Sequence, residues 1–250
     1  MIKINHHGKT KAGHVYNTGL GNKLFLNFLA RALSLENNEP MQNWMRTKIY
    51  AGEEQNYDDI DYDKWGFAWP YTYEYAEKFT IIGVNQNCDY GNHYHQNKKT
   101  IDLISKYKKQ LISDFGEREG VFVHVRWGDL AASRNWSSIP NYEYYAKCLS
   151  DIGCKYGFLT SDTFDHPFIQ SLLSEFNLEF INMTPEQTII AGSKFSNKIL
   201  SFGTFSWWIG FTGNQNNVMY PDADGYSMDG TIFDCMEDWN KIRRPYEKNN

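Results

Sequence analysis

The sequence predicts an α/β fold whose C-terminal half is a doubly wound parallel sheet. Short runs rich in β-branched and aromatic residues recur through this half, and segments of helical length separate them. One such segment opens with TPEQ at 184–187, a capping box with proline at the first helical position. Strands that alternate with helices in this way form parallel sheets covered by helices.

The predicted strands are short runs, each followed by a turn signal or a polar residue. In chain order they are 121–126, 156–160, 178–183, 198–202 and 217–220. The predicted helices between them are 141–151, which follows Pro140, and then 165–176, 184–195 and 205–212.

The N-terminal half is less regular. Residues 22–35 have apolar side chains at helical spacing and predict an amphipathic helix. Residues 36–78 predict irregular loops, and a strand at 79–84 and a helix at 98–113 follow. The change of character predicts an N-terminal domain over 1–117 and a C-terminal domain over 118–250.

Composition narrows the function classes. The chain has 250 residues and a formal net charge of −5 without a basic run, which argues against nucleic-acid binding. Four cysteines without a CxxC pattern indicate free thiols in a reducing compartment. No run approaches the roughly 20 apolar residues of a membrane span, and no signal peptide is evident. We therefore expect a cytoplasmic protein without a membrane span.

The segment VFVHVRWGDL at 121–130 carries the strongest chemical signal. Strand alternation puts His124 and Arg126 on one face, at the carboxyl end of a strand, where ligands bind in open α/β sheets. A guanidinium there suits a diphosphate, because its planar fork pairs with anionic oxygens. The alternative is a structural ion-pair network.

Three further segments place polar groups beside predicted helices or strand ends. GLGN at 19–22 precedes a helix and suits an anion, or it is a plain turn capped by Asn22. TSD at 160–162 follows a strand, where Asp162 either accepts from a guanine or caps the next helix. SFGTFSWWIG at 201–210 offers hydroxyls and N–H groups to a phosphate, or is a capped helix with a tryptophan-rich core face.

Together these four segments resemble the alpha-1,2-fucosyltransferases, glycosyltransferase family 11, in order and spacing. The resemblance spans roughly residues 18–221, and a wider fucosyltransferase clan shares the His-x-Arg and Thr-Phe-Ser elements. It implies a GT-B-like fold of two facing Rossmann-like domains. It also implies transfer of L-fucose from the donor substrate GDP-β-L-fucose to a hydroxyl of an oligosaccharide or other glycan acceptor, with inversion and in alpha-1,2 linkage. No metal and no further cofactor is implied.

The resemblance also implies residue roles. Arg126 would hold the β-phosphate and neutralise the leaving GDP, and His124 and Asp162 would contact the guanine–ribose end. The other implied donor-binding residues are Thr204, Phe205 and Ser206 in the phosphate cradle, and Gly19, Gly21 and Asn22 from the other domain. Asp129 is a candidate general base by its position.

One residue departs from the family pattern. The family reads His-x-Arg-Arg-Gly-Asp, and here Trp127 replaces the second arginine. Alternation predicts that its side chain lies on the face opposite His124. Trp127 then either packs beneath the nucleotide loop or forms an aromatic platform at the acceptor cleft.

Other functions stay open from the sequence. A metal-dependent transferase would need an Asp-x-Asp after a strand, and Asp222 and Asp224 fit that pattern. A transferase for another GDP-sugar or linkage, a non-enzymatic carbohydrate-binding protein and a regulator that binds another nucleotide are the remaining alternatives.

Overall fold

The computed structural model describes residues 2–3, 20–38, 41–42, 47–51, 98–128, 139–222 and 230–243. The chain divides into two compact units, Met1–Ser113 and Asp114–Asn250. The predicted strand at 79–84 lies outside the described residues, as do Gly19 and Asp129.

The described part of the first unit is mainly helical. Its elements are β1 (Ile2–Lys3), α1 (Leu20–Asn37), β2 (Met41–Gln42), α2 (Lys98–Lys106) and α3 (Lys108–Leu111). Helix α1 is present as predicted and begins two residues earlier, but burial is not confined to one face, because Asn27 and Arg31 are buried along with Leu24, Phe28 and Leu29. The helix predicted over 98–113 is interrupted at Tyr107, whose backbone leaves the helical region.

The second unit alternates strands and helices as predicted. Its elements are β3 (Arg118–Val125), α4 (Tyr142–Ile152), β4 (Gly157–Ser161), α5 (Pro167–Glu175), β5 (Leu178–Phe180), α6 (Pro185–Ser193), β6 (Phe195–Ile199), α7 (Thr204–Phe211), β7 (Asn217–Pro221), α8 (Gly230–Asp234) and β8 (Asn240–Ile242). The short elements α8 and β8 were not predicted. Both ends of strand β6 lie three residues earlier in the chain than predicted.

The six strands β3–β8 form one all-parallel sheet in the order β5-β4-β3-β6-β7-β8. The chain therefore winds outward from β3 to one edge, returns to the centre at β6 and winds to the other edge. This order is doubly wound and compatible with a Rossmann-like fold. It makes β3 and β6 the central pair, where the winding direction reverses.

The side chains of β3 alternate between the two faces of the sheet, as predicted, and each face has its own buried core. Val121, Val123 and Val125 pack with Tyr144 and Tyr145 of α4 in one buried cluster. Phe122 points to the other face and lies close to Gly192 of α6. A Cβ added to this glycine would lie only 3.0 Å from the Phe122 ring. Helices therefore cover both faces of the sheet, as the long apolar strands require.

Helix boundaries in this unit follow from local capping. Thr184 accepts from the N–H of Gln187, and the Gln187 side chain accepts from the N–H of Thr184, so the predicted capping box at α6 is confirmed. Asn141 caps α4, and Gly153 ends that helix at a φ of 66°, which glycine adopts without strain.

Side-chain amides link three neighbouring strands near the amino end of the sheet. The Asn217 amide donates to Asn197 Oδ1 at 3.1 Å, and the Asn240 amide donates to Asn217 Oδ1 at 3.1 Å. We call Asn197, Asn217 and Asn240 the asparagine ladder. It joins β6, β7 and β8 by bonds outside the backbone hydrogen-bonding pattern.

Two sequence expectations can be compared with the described residues alone. Cys148, Cys154 and Cys235 are free thiols, and Cys88 lies outside the described residues. Across the helices that the structure describes, none combines the length and the hydropathy needed to cross a bilayer.

Candidate functional site

The backbone pairing of the two central strands stops where β6 ends, two residues before the end of β3. Strands β3 and β6 pair up to Val123 and Ile199, and there their register ends. Beyond this point β3 continues along β4 to Val125, while β6 stays on β7 through the bond from Leu200 N to Met219 O at 2.9 Å. The carboxyl ends of β3 and β6 therefore lie where the winding direction of the sheet reverses, the position at which doubly wound sheets bind ligands in a crevice.

Two buried tyrosines of α4 donate hydrogen bonds to backbone carbonyls near the carboxyl ends of the two central strands. The Tyr145 hydroxyl donates to His124 O at 3.4 Å, and the Tyr144 hydroxyl donates to Leu200 O at 2.9 Å. Burial raises the pKa of Tyr144, so that side chain keeps its proton and remains a donor.

The loop after β6 brings a helix start to the crevice. Gly203 is the N-cap of α7 and has a φ of 95°, a conformation that side chains rarely adopt. No side chain caps α7 within the part of the chain that the structure describes. Its first N–H groups and the positive end of its dipole therefore lie at the carboxyl edge of the sheet, where an anion is favoured.

His124 and Ser206 join the two central motifs of the sequence. The imidazole Nδ1 lies 2.6 Å from the Ser206 hydroxyl oxygen across 82 residues of chain, and both side chains are buried. The pKa of His124 is lowered to about 3, mainly by burial and secondarily by the positive charge of Arg126. The imidazole is therefore neutral at neutral pH. The Phe205 ring lies 5.2 Å from it.

Arg126 follows directly after β3 and is half-buried. It lies two residues after His124 in the chain, and its positive charge contributes to the lowered pKa of that imidazole. Its backbone carbonyl accepts from the buried Ser201 hydroxyl at 3.4 Å. The two motif segments after β3 and β6 are therefore connected by side-chain and backbone contacts.

Asp162 binds backbone rather than the next helix. Its carboxylate accepts from Trp127 N at 2.8 Å and from Gly128 N at 3.0 Å. The alternative that Asp162 caps the following helix is wrong, because the N-cap of α5 is His166. The contact with guanine that the resemblance implies stays a prediction.

Trp127 lies on the side of β3 opposite His124, as alternation predicts. Its ring is 4.7 Å from the His166 ring and 4.9 Å from the Phe168 ring. It packs against the buried cluster that contains Val125. The departure from the family pattern is therefore a packed side chain, which favours the first of its two interpretations.

A buried lysine fixes the far end of α7. Lys198 of β6 is fully buried, and its Nζ donates to the carbonyls of Ile209 at 3.1 Å, Gly210 at 3.2 Å and Thr212 at 2.7 Å. A cation at a helix C-terminus is favoured by the dipole. Lys198 thus ties α7 to the central strand whose loop leads into the helix N-terminus.

The remaining predicted donor-binding residues belong to the first unit. Gly21 and Asn22 lie in the first turn of α1, so the prediction that they form a loop before the helix is wrong. The alternative that Asn22 caps this helix is also wrong, since the helix already includes Leu20.

The alternative metal motif is partly described. Asp222 follows β7, and its carboxylate pairs with Lys241 Nζ at 3.1 Å, while Asp224 lies outside the described residues. Within the described ranges, no group of three or more His, Cys, Asp or Glu side chains is arranged to hold a metal ion.

Comparisons of this chain with protein-family models, with curated proteins and with solved structures find no match. The functional interpretation therefore depends on the crevice and on the sequence motifs that meet there.

Four residues of this region were not predicted: Tyr144, Tyr145, Lys198 and Ser201. Tyr144 and Tyr145 are adjacent on a helix and read as ordinary core residues, and Lys198 reads as a surface lysine. Ser201 stood inside a predicted strand. Each side chain donates a hydrogen bond to a backbone carbonyl that is distant in sequence. Such a contact leaves no pattern in the local sequence.

We expect Trp127→Arg to destabilise the second unit by about 2–4 kcal/mol, because a charge would enter an aromatic and aliphatic contact. Urea unfolding measures the change. Phe164→Arg is the matched control, since Phe164 is 44% exposed. Near-native stability of Trp127→Arg together with an altered acceptor preference would instead support the aromatic platform.

Proposed function

We propose that this protein is an inverting, metal-independent glycosyltransferase that moves L-fucose from GDP-β-L-fucose to a hydroxyl of a glycan acceptor. We further propose a GT-B-like organisation in which the second unit binds the donor nucleotide and the first is the acceptor-side domain. The proposed linkage is alpha-1,2. The fucosyl group and the linkage rest on the resemblance of the four motifs.

The observation that carries the proposal is the contact of His124 with Ser206 at the carboxyl ends of β3 and β6. It joins the His-x-Arg and Thr-Phe-Ser segments at the crevice where a doubly wound sheet binds ligands. Two motifs that are far apart in sequence therefore contribute to one location. A purely structural ion-pair network would not require a neutral histidine beside an uncapped helix start.

The chemistry needed for glycosyl transfer fits the groups at this location. As the bond from the sugar to the diphosphate breaks, negative charge develops on the departing oxygen. The proposed neutralising groups are the guanidinium of Arg126 and the N–H groups at the start of α7, including those of Thr204 and Phe205. Neutral His124 would donate or accept a hydrogen bond there without adding a competing charge.

The acceptor hydroxyl must lose its proton as its oxygen attacks the sugar. Asp129 is the proposed general base and lies outside the described residues. A transition state with strong oxocarbenium character lowers the demand on such a base, because the acceptor attacks an already electron-poor carbon.

We expect GDP to raise the melting temperature in the presence of EDTA, since a ligand that binds only the folded state stabilises it. At a concentration of about 100 times the dissociation constant, the stabilisation should be about 2.7 kcal/mol. UDP and ADP at the same concentration are the controls and should shift the melting temperature less. A shift that requires Mn²⁺ would favour the Asp222 and Asp224 alternative.

The product assay uses GDP-fucose with an array of glycan acceptors, scored for GDP release and for product linkage. Transfer of fucose in alpha-1,2 linkage is the expected result. Transfer in another linkage, or release of GDP only from another GDP-sugar, would mean that the protein is a glycosyltransferase of different specificity. Glycan binding without any nucleotide affinity would replace it with a carbohydrate-binding function.

A further inference from the structure

The peptide group between Arg126 and Trp127 is held at both of its ends. Its carbonyl accepts from Ser201 Oγ at 3.4 Å, and its N–H donates to Asp162 Oδ1 at 2.8 Å. In a trans peptide these two groups point in opposite directions. The Ser201 side chain comes from the loop after β6 and the Asp162 side chain from the end of β4, so the peptide is fixed from both neighbouring strands.

The second oxygen of Asp162 extends this contact. It accepts from Gly128 N at 3.0 Å, so two successive N–H groups bind one carboxylate. Hydrogen bonds to an ionised acceptor are among the stronger ones in proteins. The loop also passes very close to this carboxylate, because a Cβ on Gly128 would lie 3.1 Å from Asp162 Oδ2 and 3.2 Å from Thr163 Cγ2.

The carboxylate itself is held in place by a local turn. Thr163 N donates to Ser161 Oγ at 3.1 Å, and the Thr163 hydroxyl lies 3.5 Å from Asp162 Oδ1. Asp162 is therefore a preorganised acceptor for the backbone that follows Arg126. Fixing that peptide plane fixes the backbone of Arg126, and with it the direction in which its side chain leaves the strand.

We propose that Asp162 is a positioning residue that aims the Arg126 guanidinium at the anion site by holding the peptide group between Arg126 and Trp127. This inference rests on the proposed function, because it assigns the anion to the diphosphate of the donor. It differs from the direct contact with guanine that the resemblance implies. The two roles predict different patterns of nucleotide affinity.

The test compares GDP, inosine diphosphate and inorganic pyrophosphate by calorimetry. Inosine diphosphate lacks the exocyclic amine of guanine, and pyrophosphate lacks the base and sugar. For Asp162→Asn we expect all three affinities to fall by a similar factor of about ten, the size of one charged hydrogen bond. The preference for GDP over inosine diphosphate should not change. Ser201→Ala should cause a smaller loss with the same pattern.

The matched control is Asp165→Asn, which removes a carboxylate from the same loop. Asp165 makes no hydrogen bond to the loop after β3 within the part of the chain described by the structure. All three affinities should stay near the native values. A loss confined to GDP in Asp162→Asn, with pyrophosphate unaffected, would overturn the positioning role in favour of guanine contact, and unchanged affinities would overturn both roles.

Amide hydrogen exchange separates this inference from the proposed function. Without any nucleotide, Asp162→Asn should speed exchange at the N–H groups of Trp127 and Gly128, while Asp165→Asn should not. Failure of the native protein to bind GDP and pyrophosphate would refute the proposed function, and the proposed aiming of Arg126 at a diphosphate with it. Unchanged exchange at these two groups would refute the positioning contact itself, whatever the nucleotide result.

Discussion

Replacing Arg126 with alanine should lower the rate of fucose transfer by about 10²–10³-fold, equivalent to about 3–4 kcal/mol of transition-state stabilisation. The guanidinium is the proposed partner of the charge that develops on the departing diphosphate. It is half-buried and follows β3, so its removal leaves the buried clusters on both faces of the sheet intact. The rate is measured as GDP release with a saturating acceptor, and the melting temperature is measured in parallel.

Two further arginine variants make this result specific. Arg126→Lys should restore little activity, because an ammonium cannot form the bidentate fork. Arg118→Ala removes the same charge from the opposite end of β3, where the guanidinium stacks 4.0 Å from the Phe158 ring. It should leave the transfer rate near native. Near-native turnover of Arg126→Ala would show that the donor site is elsewhere.

Replacing Lys198 with methionine should lower the free energy of unfolding by about 3–4 kcal/mol. Methionine fills a similar volume, so the loss reports on the three carbonyls at the end of α7 that would lose their common donor. Such a change is a large part of the total stability of a typical domain. Urea unfolding, followed by a spectroscopic signal from the buried tryptophans, measures it.

The control for Lys198 is Lys155→Met, which removes an exposed lysine from the same unit. Its effect should stay within about 0.5 kcal/mol, as for most surface substitutions. A loss below about 1 kcal/mol in Lys198→Met would mean that water or other donors replace the ammonium at these carbonyls.

The elements that the sequence predicts well are those whose signal lies within a few neighbouring residues. The run VFVHV identified β3, and the capping box at Thr184 identified the start of α6, because both signals lie within a few residues. The sequence places the start of β6 three residues late because Ser196 and Asn197 look like turn residues, whereas the apolar residues after Lys198 look like a strand. The burial of Lys198 depends on carbonyls of a helix that folds back against the strand.

In the candidate site, too, local patterns predict single residues, whereas the contacts between them depend on the whole fold. The sequence places His124 and Arg126 at a strand end, as the structure does, and their binding of an anion stays a prediction. Their connection to Ser206 and Ser201 depends on the order of the strands, which long-range pairing decides. Asp162 was assigned to a ligand or to its own next helix, whereas it binds the loop of the neighbouring strand.

The asparagine ladder and Lys198 together restrict how β6 can align with its neighbours. Asn197 and Lys198 are adjacent, so their side chains point to opposite faces of the sheet. A slip of β6 by one residue would exchange those faces, moving the amide away from Asn217 and the ammonium away from the helix end at once. Misaligned pairings of this strand therefore lose two independent sets of bonds. That energy gap favours a single alignment during folding, and with it one geometry for the crevice.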